Sequence, residues 1–262
     1  FQGNFSFLKT GLNYSDFVTV LSEQHAKDVQ ESEEYGFGFE NEFKKINHIL
    51  KGIVNGVDYS LWDPETDELL PSQYTPGNLK GKLENKKALA KKFKLHFDEN
   101  TPIISMIAPL VENQGIDLLE DLFDKILNMN LQLVILGGGN KKYHSLLTNI
   151  SKQYPDKFGM SFTGNESSKH LVVAGSDMLL VALKYGPEFS NQLCALKYGT
   201  IPIVTKTGGL ADTIKNIDLG SGYGNGFVFD KYDSRSLFSA IKSAVAFYKD
   251  TKVWKKIMKK GM

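Results

Sequence analysis

The sequence predicts an α/β fold in which a parallel β-sheet carries helices on both faces. Short apolar runs of strand length alternate along the chain with amphipathic segments of helical length. Glycine or proline follows several of the apolar runs, as expected at strand-to-helix turns. The 262 residues contain 41% hydrophobic side chains, which is enough for one large domain with a full core. Strands separated by single helices are expected to run parallel, through right-handed crossovers.

The first part of the chain is predicted to be less regular than the rest. Residues 17–22 (FVTVLS) form an apolar strand, and Ser22 is placed to cap the helix that follows. Residues 33–43 (EEYGFGFENEF) are rich in glycine and aromatic residues and are predicted to be a loop. A second short strand is expected to end at the turn signal Asn55-Gly56, and a polar loop is expected from about Pro64 to Leu79.

The next segment, KLENKKALAKKF, has the spacing of an amphipathic helix whose lysines are predicted to face solvent. From there strands and helices alternate. The predicted strands are PIISMIAPL, LQLVILGGG, FGMSFTG, DMLLVAL, IPIVTKT and GFVFD. The predicted helices between and after them are GIDLLEDLFDKILNM, KYHSLLTNISKQY, SSKHLVVAG, SNQLCALKYG with Ser190 as its cap, and SRSLFSAIKSAVAFYKD.

Three strand ends are candidates for ligand binding, because parallel sheets bind ligands beyond the carboxyl ends of their strands. They are Ala108-Pro109, the run Gly137–Gly139, and Thr207-Gly208-Gly209. The third precedes a predicted helix, where free N–H groups and the helix dipole favour an anion. A tight turn without any ligand explains the same residues. The glycine run is not a dinucleotide fingerprint, because residue 142 is lysine.

Composition excludes several functional classes. With 31 basic and 30 acidic residues the net charge is +1, which gives no electrostatic footprint for nucleic acid or an anionic membrane. Cys194 is the single cysteine, so no internal disulfide forms, and its helical position favours packing over nucleophilic chemistry. The five histidines lie far apart without metal-ligand spacing, so neither a metal nor a cofactor is expected.

Seven ordered segments carry a resemblance to bacterial glycogen synthases and plant starch synthases. They are NFSFLKTGLNYSDFVTVLSEQHAKDV, KGIVNGVDYSLWDPETDELL, GKLENKKALAKKF, VENQGIDLL, LVILGGG, LKYGTIPIVTKTGGLADT and GNGFVFD. The resemblance implies a GT-B fold of two Rossmann-like domains, with an active site between them. It also implies metal-free transfer of glucose from ADP-glucose to the end of an α-1,4-glucan.

The resemblance further implies a division of the chain. Residues 4–262 are expected to be the C-terminal, donor-binding domain. Residues 1–3 (FQG) are expected, from their own sequence, to be the remnant of a cleaved tag. Residues 4–60 would lie near the inter-domain linker, and the N-terminal domain would be absent. Bacterial cytosol and plastid both suit such a protein.

The residues that handle charge in this family do not match here. The arginine and the lysine that hold the donor diphosphate correspond to Pro109 and Gln114. A tyrosine near the adenine corresponds to Gly164, and the glutamate that contacts the transferred glucose corresponds to Gly186. Glu188 lies two residues beyond and would substitute only if the loop shifted.

Other positions do match the family. Thr207, Gly208, Gly209 and Leu210 would supply backbone contacts to the nucleotide sugar, and His170 stands in its family place. Glu112, Gly115, Gln192 and Tyr198 also match. This pattern predicts a synthase-like domain with a degenerate ADP-glucose site, acting as a glucan-binding, scaffold or regulatory protein, with an active synthase as one partner. The alternatives are an active donor-binding domain and a site for a changed ligand.

Overall fold

The structure, a computed structural model, describes residues 5–31, 33–185, 190–218 and 223–262. Its first part is a small unit with two parallel strands. The elements of this unit are α1 (Phe7–Tyr14), β1 (Val18–Val20), α2 (Glu23–Glu31), α3 (Glu33–Gly36), α4 (Glu40–Lys45) and β2 (Leu50–Gly52). The Ser22 hydroxyl accepts a hydrogen bond from the backbone N–H of His25 at 2.9 Å, which confirms the predicted cap.

The second and larger part alternates helices and strands. In order they are α5 (Lys80–Phe93), β3 (Ile103–Ile107), α6 (Ile116–Glu120), α7 (Phe123–Leu127), β4 (Gln132–Leu136), α8 (Lys141–Gln153), β5 (Phe158–Ser161), α9 (Glu166–Gly175), β6 (Met178–Val181), α10 (Asn191–Lys197), β7 (Ile201–Thr205), α11 (Gly208–Thr213), β8 (Phe227–Phe229), α12 (Ser234–Tyr248) and α13 (Thr251–Gly261).

Within the described ranges, these strands form a six-stranded sheet of order β5-β4-β3-β6-β7-β8, and every neighbouring pair is parallel. Alternate residues of each strand point to opposite faces. Ile104 and Met106 of β3 belong to the core under α6, α7, α8 and α12, whereas Ile103 faces the core under α5 and α9. The predicted fold class, a parallel sheet covered on both faces, is therefore confirmed.

The structure corrects five expectations about local structure. The segment GIDLLEDLFDKILNM forms two short helices, α6 and α7, instead of one, and the Ser190 side chain makes no capping hydrogen bond at the start of α10. Residues 33–43 are not one loop: helices α3 and α4 join through a tight turn at Phe37 and Gly38, both of which have positive φ. The second strand ends at Gly52, before Asn55-Gly56. Helix α5 does not expose all of its lysines, because Lys82 and Lys86 are buried beneath it at 6% and 3% exposure.

Candidate functional site

The site is positioned by a reversal in strand order. From β3 the chain adds β4 and then β5 on one side of the sheet, and from β6 it adds β7 and β8 on the other side. The loops that leave β3 and β6 therefore diverge and leave a crevice between them at their carboxyl ends. Parallel α/β sheets bind their ligands at such a switch point.

A cavity of about 440 Å³ occupies this crevice. Most of its wall is apolar and comes from the ends of β3, β4 and β6. The lining residues are Ile107, Ala108, Pro109, Gln114, Leu136, Gly137, Gly138, Gly164, Lys169, Leu180, Val181, Ala182, Leu183 and Asn191. Two of the three predicted strand-end loops, Ala108-Pro109 and Gly137–Gly139, meet here, together with Gln114 and Gly164 from the sequence analysis.

Gln114 places an unpaired amide oxygen at this cavity. Its Oε1 is buried and has no hydrogen-bond partner among the residues that the structure describes. Neighbouring Gly115 is fixed on two sides. Its backbone N–H donates to the Tyr232 hydroxyl after β8 at 2.9 Å, and a Cβ there would lie 2.7 Å from the Ala182 side chain after β6. A buried carbonyl oxygen without a partner carries a desolvation cost that a donor on a ligand would remove.

Lys169 is the one cationic side chain among the described residues that line the cavity. Its Nζ lies 2.6 Å from the Glu166 carboxylate, one turn earlier on α9. The hydrogen bond from the Lys169 ammonium holds the pKa of the Glu166 carboxyl below its usual value, as a nearby opposite charge does. Pro109, which also lines the cavity, has neither charge nor backbone N–H.

The third predicted loop lies elsewhere. Thr207 and Leu210 are buried at 6% and 1% exposure and do not line the cavity. The backbone N–H of Gly208 donates to Asp28 Oδ2 at 3.2 Å, so a carboxylate from α2 already lies at the amino end of α11. Gly209 continues the same buried turn. Backbone contacts from Thr207–Leu210 to a nucleotide sugar remain a prediction from the family resemblance.

His170 lies in a buried polar cluster rather than at the cavity wall. Its Nδ1 is 2.7 Å from Asp67 Oδ2, and the Tyr198 hydroxyl donates to the same oxygen at 2.6 Å. The Trp62 ring stacks on the imidazole with centroids 3.8 Å apart. This cluster fixes the loop before α5 onto α9 and the end of α10. Trp62 therefore anchors that loop, and a role for His170 in binding sugar remains a prediction.

Gly164 lines the cavity beside Leu136, whose Cδ1 would lie 3.0 Å from a Cβ at residue 164. Gly186 and Glu188 fall outside the described residues. Cys194 is buried, and burial raises the pKa of its thiol to about 11, in agreement with packing rather than nucleophilic chemistry.

Sequence reasoning did not identify several residues of the site. Lys169 of α9, Asn191 of α10 and the apolar run Leu180–Leu183 at the end of β6 all reach the cavity. The apolar run is typical of any buried strand, and the single lysine and asparagine belong to no motif, so the local sequence did not mark them as site residues. Asp28 was also missed, since its contact with Gly208 spans 180 positions of sequence.

Neither a metal-binding cluster nor a membrane-spanning helix occurs in the part of the chain that the structure describes. That part contains no cluster of three His, Cys, Asp or Glu side chains that could hold a metal ion. Likewise, none of its helices combines the length and apolar character needed to cross a membrane.

Comparison with known proteins gives matches along the whole chain. The family model "Glycosyl transferases group 1" matches residues 88–261, and "Starch synthase catalytic domain" matches residues 1–45. A glycogen synthase of Bacillus cereus is 39% identical over all 262 residues, which cover 55% of that protein. One from Koribacter versatilis is 37% identical and is covered to 54%. The chain thus spans about half the length of the curated relatives that it matches.

A solved structure gives the same result for the fold. The catalytic domain of starch synthase IV from Arabidopsis thaliana, bound to ADP and acarbose, superposes with a TM-score of 0.90 at 30% identity. The match covers 97% of this chain and 53% of that one.

The parallel sheet, the crevice at its switch point and this superposition define a glycosyltransferase domain of GT-B fold. The chain belongs to the glycosyl transferases of group 1, and within that family it is similar to the glycogen and starch synthases.

Proposed function

We propose that this domain is the donor-side half of a glycogen synthase-like protein whose crevice has lost productive binding of ADP-glucose. It serves glucan metabolism by binding glucan, as a scaffold or regulator of an active synthase. The relatives support a place in glucan metabolism, because they are glycogen synthases and a starch synthase bound to ADP and acarbose. Since the curated relatives are bacterial, the compartment we propose is the bacterial cytoplasm, with a plastid as the alternative.

The cavity wall is the observation that carries this proposal. A donor diphosphate requires cations, and charge-assisted hydrogen bonds are the strong ones in such a site. Here the positions that correspond to the family's arginine and lysine are Pro109 and Gln114, and both line the cavity. The remaining cation, Lys169, is paired with Glu166. A diphosphate entering this crevice would exchange water for mostly apolar surface with little compensation.

An active donor-binding domain is the second candidate function. Lys169 is the observation that favours it, because a phosphate could displace Glu166 from an ammonium that already lies at the cavity. The extensive similarity to glycogen synthases fits this reading equally well.

A calorimetric titration with ADP and with ADP-glucose separates the two candidates. We expect no binding up to millimolar ligand, and micromolar binding after Pro109→Arg, Gln114→Lys and Gly186→Glu are introduced together. Micromolar binding by the unaltered chain would contradict the proposal. Its loss in Lys169→Met would then assign the phosphate contact to that lysine. A triple variant that folds but still fails to bind would contradict the residue correspondence itself.

A further inference from the structure

Three aromatic rings cluster on the protein surface between the small unit and the β6–α10 loop. Tyr185 packs edge-on against Tyr35, with ring centroids 6.3 Å apart, and against Phe37, with centroids 5.7 Å apart. Phe37 is nevertheless 68% exposed. We call Tyr35, Phe37 and Tyr185 the aromatic rim. A large ring that is held in place yet faces solvent is available to a ligand.

The aromatic rim lies beside the mouth of the cavity. Tyr185 follows Leu183, a residue of the cavity wall, after a single residue. The backbone N–H of Lys184 donates to the Asn113 carbonyl at 3.0 Å, and the Asn113 amide reaches the Tyr185 hydroxyl at 3.4 Å. Asn113 directly precedes Gln114. A chain-like ligand lying on the rim would therefore approach the unpaired Gln114 carbonyl.

The backbone at Phe37 indicates that its exposed ring has a role. Its φ is +49°, in the left-handed region where a bulky side chain is a genuine outlier. It stands just after α3, where helices that end in this conformation usually carry glycine. Burial of the Phe37 ring does not offset the free-energy cost of this backbone conformation, because most of the ring faces water. Strain of this kind is characteristic of binding sites.

The charged groups around the aromatic rim do not favour an anion. Lys184 Nζ lies 2.6 Å from Glu34 Oε1, so the cation next to Tyr185 is neutralised by a carboxylate next to Tyr35. Burial, and then the carboxylates of Glu34, Asp28 and Glu31, raise the pKa of the Tyr35 hydroxyl, whereas Lys184 lowers it. Among its described residues the rim thus presents aromatic faces, amide groups and carboxylates, without a surplus of positive charge. This chemistry suits a neutral ligand with apolar faces and many hydroxyl groups, and it does not suit a phosphate.

We propose that the aromatic rim binds a neutral α-glucan chain, whose sugar rings stack on Phe37 and Tyr185 while its hydroxyls meet the amides of Asn113 and Gln114. The apolar C–H face of a pyranose matches an aromatic ring, and its edge hydroxyls match amide groups. This inference rests on the proposed glucan-binding function and names the surface that performs it.

Titration of the 262-residue chain with maltoheptaose tests the proposal. Removal of either ring, in Phe37→Gly or in Tyr185→Ala, should weaken binding about tenfold, as expected for an aromatic anchor. Phe37→Gly should leave the melting temperature unchanged or raise it, because glycine relieves the positive φ. A merely structural role for Phe37 predicts the opposite, a lower melting temperature with unchanged binding. Tyr14→Ala is the matched control, since Tyr14 is 86% exposed and lies outside the rim.

Two results would contradict glucan binding at the aromatic rim. One is maltoheptaose binding that Phe37→Gly and Tyr185→Ala leave unchanged, and the other is the absence of binding. Neither result tests whether the crevice has lost the binding of ADP-glucose, because the titration with ADP tests that proposal separately. A third result is that the chain binds ADP at micromolar concentration and also binds maltoheptaose in a way that depends on the rim. That result would contradict the proposed loss of donor binding and would support glucan binding at the aromatic rim.

Discussion

Lys82 shows how a single residue on α5 departs from the solvated lysines around it. Its Nζ donates to the Ala174 carbonyl at 3.0 Å and to the Thr200 hydroxyl at 2.7 Å, beneath the helix. Burial lowers the pKa of its ammonium to about 7, because neighbouring Asp177 only partly offsets the desolvation and Lys86 adds repulsion. The lysine therefore ties α5 to the amino-terminal edge of the sheet at a cost that depends on pH.

The buried Lys82 should make the folded state more stable as the pH rises above about 7. Below about pH 7 both folded and unfolded chains carry the Lys82 proton, and the folded state bears the full desolvation cost. Between about 7 and the ordinary lysine pKa of about 10.4, the unfolded state binds more protons, so stability rises with pH by up to about 1.4 kcal/mol per unit. Lys82→Met should remove this contribution from the pH profile of the free energy of unfolding. Lys87→Met, at an exposed pair with Glu84, should leave the profile unchanged, and equal profiles for all three proteins would contradict the assignment.

At the scale of elements, α2 and α11 cap one another. Asp28 of α2 accepts from the Gly208 N–H at the start of α11, at 3.2 Å, and Asp212 of α11 accepts from the Gln24 N–H at the start of α2, at 2.9 Å. Each carboxylate lies at the positive end of the other helix dipole. The Gln24 side chain also donates to Asp28 at 2.7 Å, which orients the carboxylate. These bonds join the small two-stranded unit to the six-stranded sheet.

Because both bonds join the same two helices, their loss should not be additive. Asp28→Asn and Asp212→Asn should each cost about 1 kcal/mol, and the double variant should cost less than their sum by roughly 0.5 kcal/mol or more. Urea unfolding measures this coupling. Asp233 offers the control, since it caps its own helix α12 by accepting from Ser236, and Asp233→Asn should add independently to either change. Full additivity of Asp28→Asn with Asp212→Asn would show that the helices do not dock as one unit.

At the scale of the whole molecule, the crevice depends on how closely the β3 and β4 loops approach. A Cβ at Gly137 would lie 1.9 Å from the Ala108 carbonyl oxygen. This distance is too short for any contact, so the backbone would have to move to admit the Cβ. The Leu110 N–H donates to the Gly138 carbonyl at 2.9 Å and continues the contact past the end of the strands. Glycine at 137 is thus required by packing, whether or not a ligand binds.

Gly137→Ala should therefore destabilise the domain by roughly 2 kcal/mol or more, as overpacking against backbone does. Gly56→Ala is the control, because nothing lies within 4 Å of a Cβ at that position and its effect should be small. Melting temperatures of the two variants provide the comparison. A Gly137→Ala protein as stable as the Gly56→Ala protein would show that the two loops can separate at little cost.

Apolar runs of strand length made the large sheet predictable, because a strand of a parallel sheet is buried on both faces, as Ile103–Ile107 and Gln132–Leu136 are along almost their whole length. The lysines of α5 were less predictable, because helical spacing alone does not show that Lys82 meets a carbonyl of α9 and the Thr200 hydroxyl before β7. The site was predictable in part. Pro109, Gln114 and Gly164 follow from motif order and do line the cavity, whereas Asn191 and Leu180–Leu183 required the positions of α10 and β6 in the fold.

The sequence by itself determined the alternation of strands and helices, the parallel sheet and the membership in a glycosyltransferase family, because each follows from local periodicity or from the order of motifs. Only the tertiary structure decided which strand-end loops share one cavity, where Asp28 and His170 find their partners, and that Phe37 and Tyr185 meet beside the cavity mouth. Those contacts join residues as many as 180 positions apart, and they arise from strand order and helix docking, which no local pattern encodes.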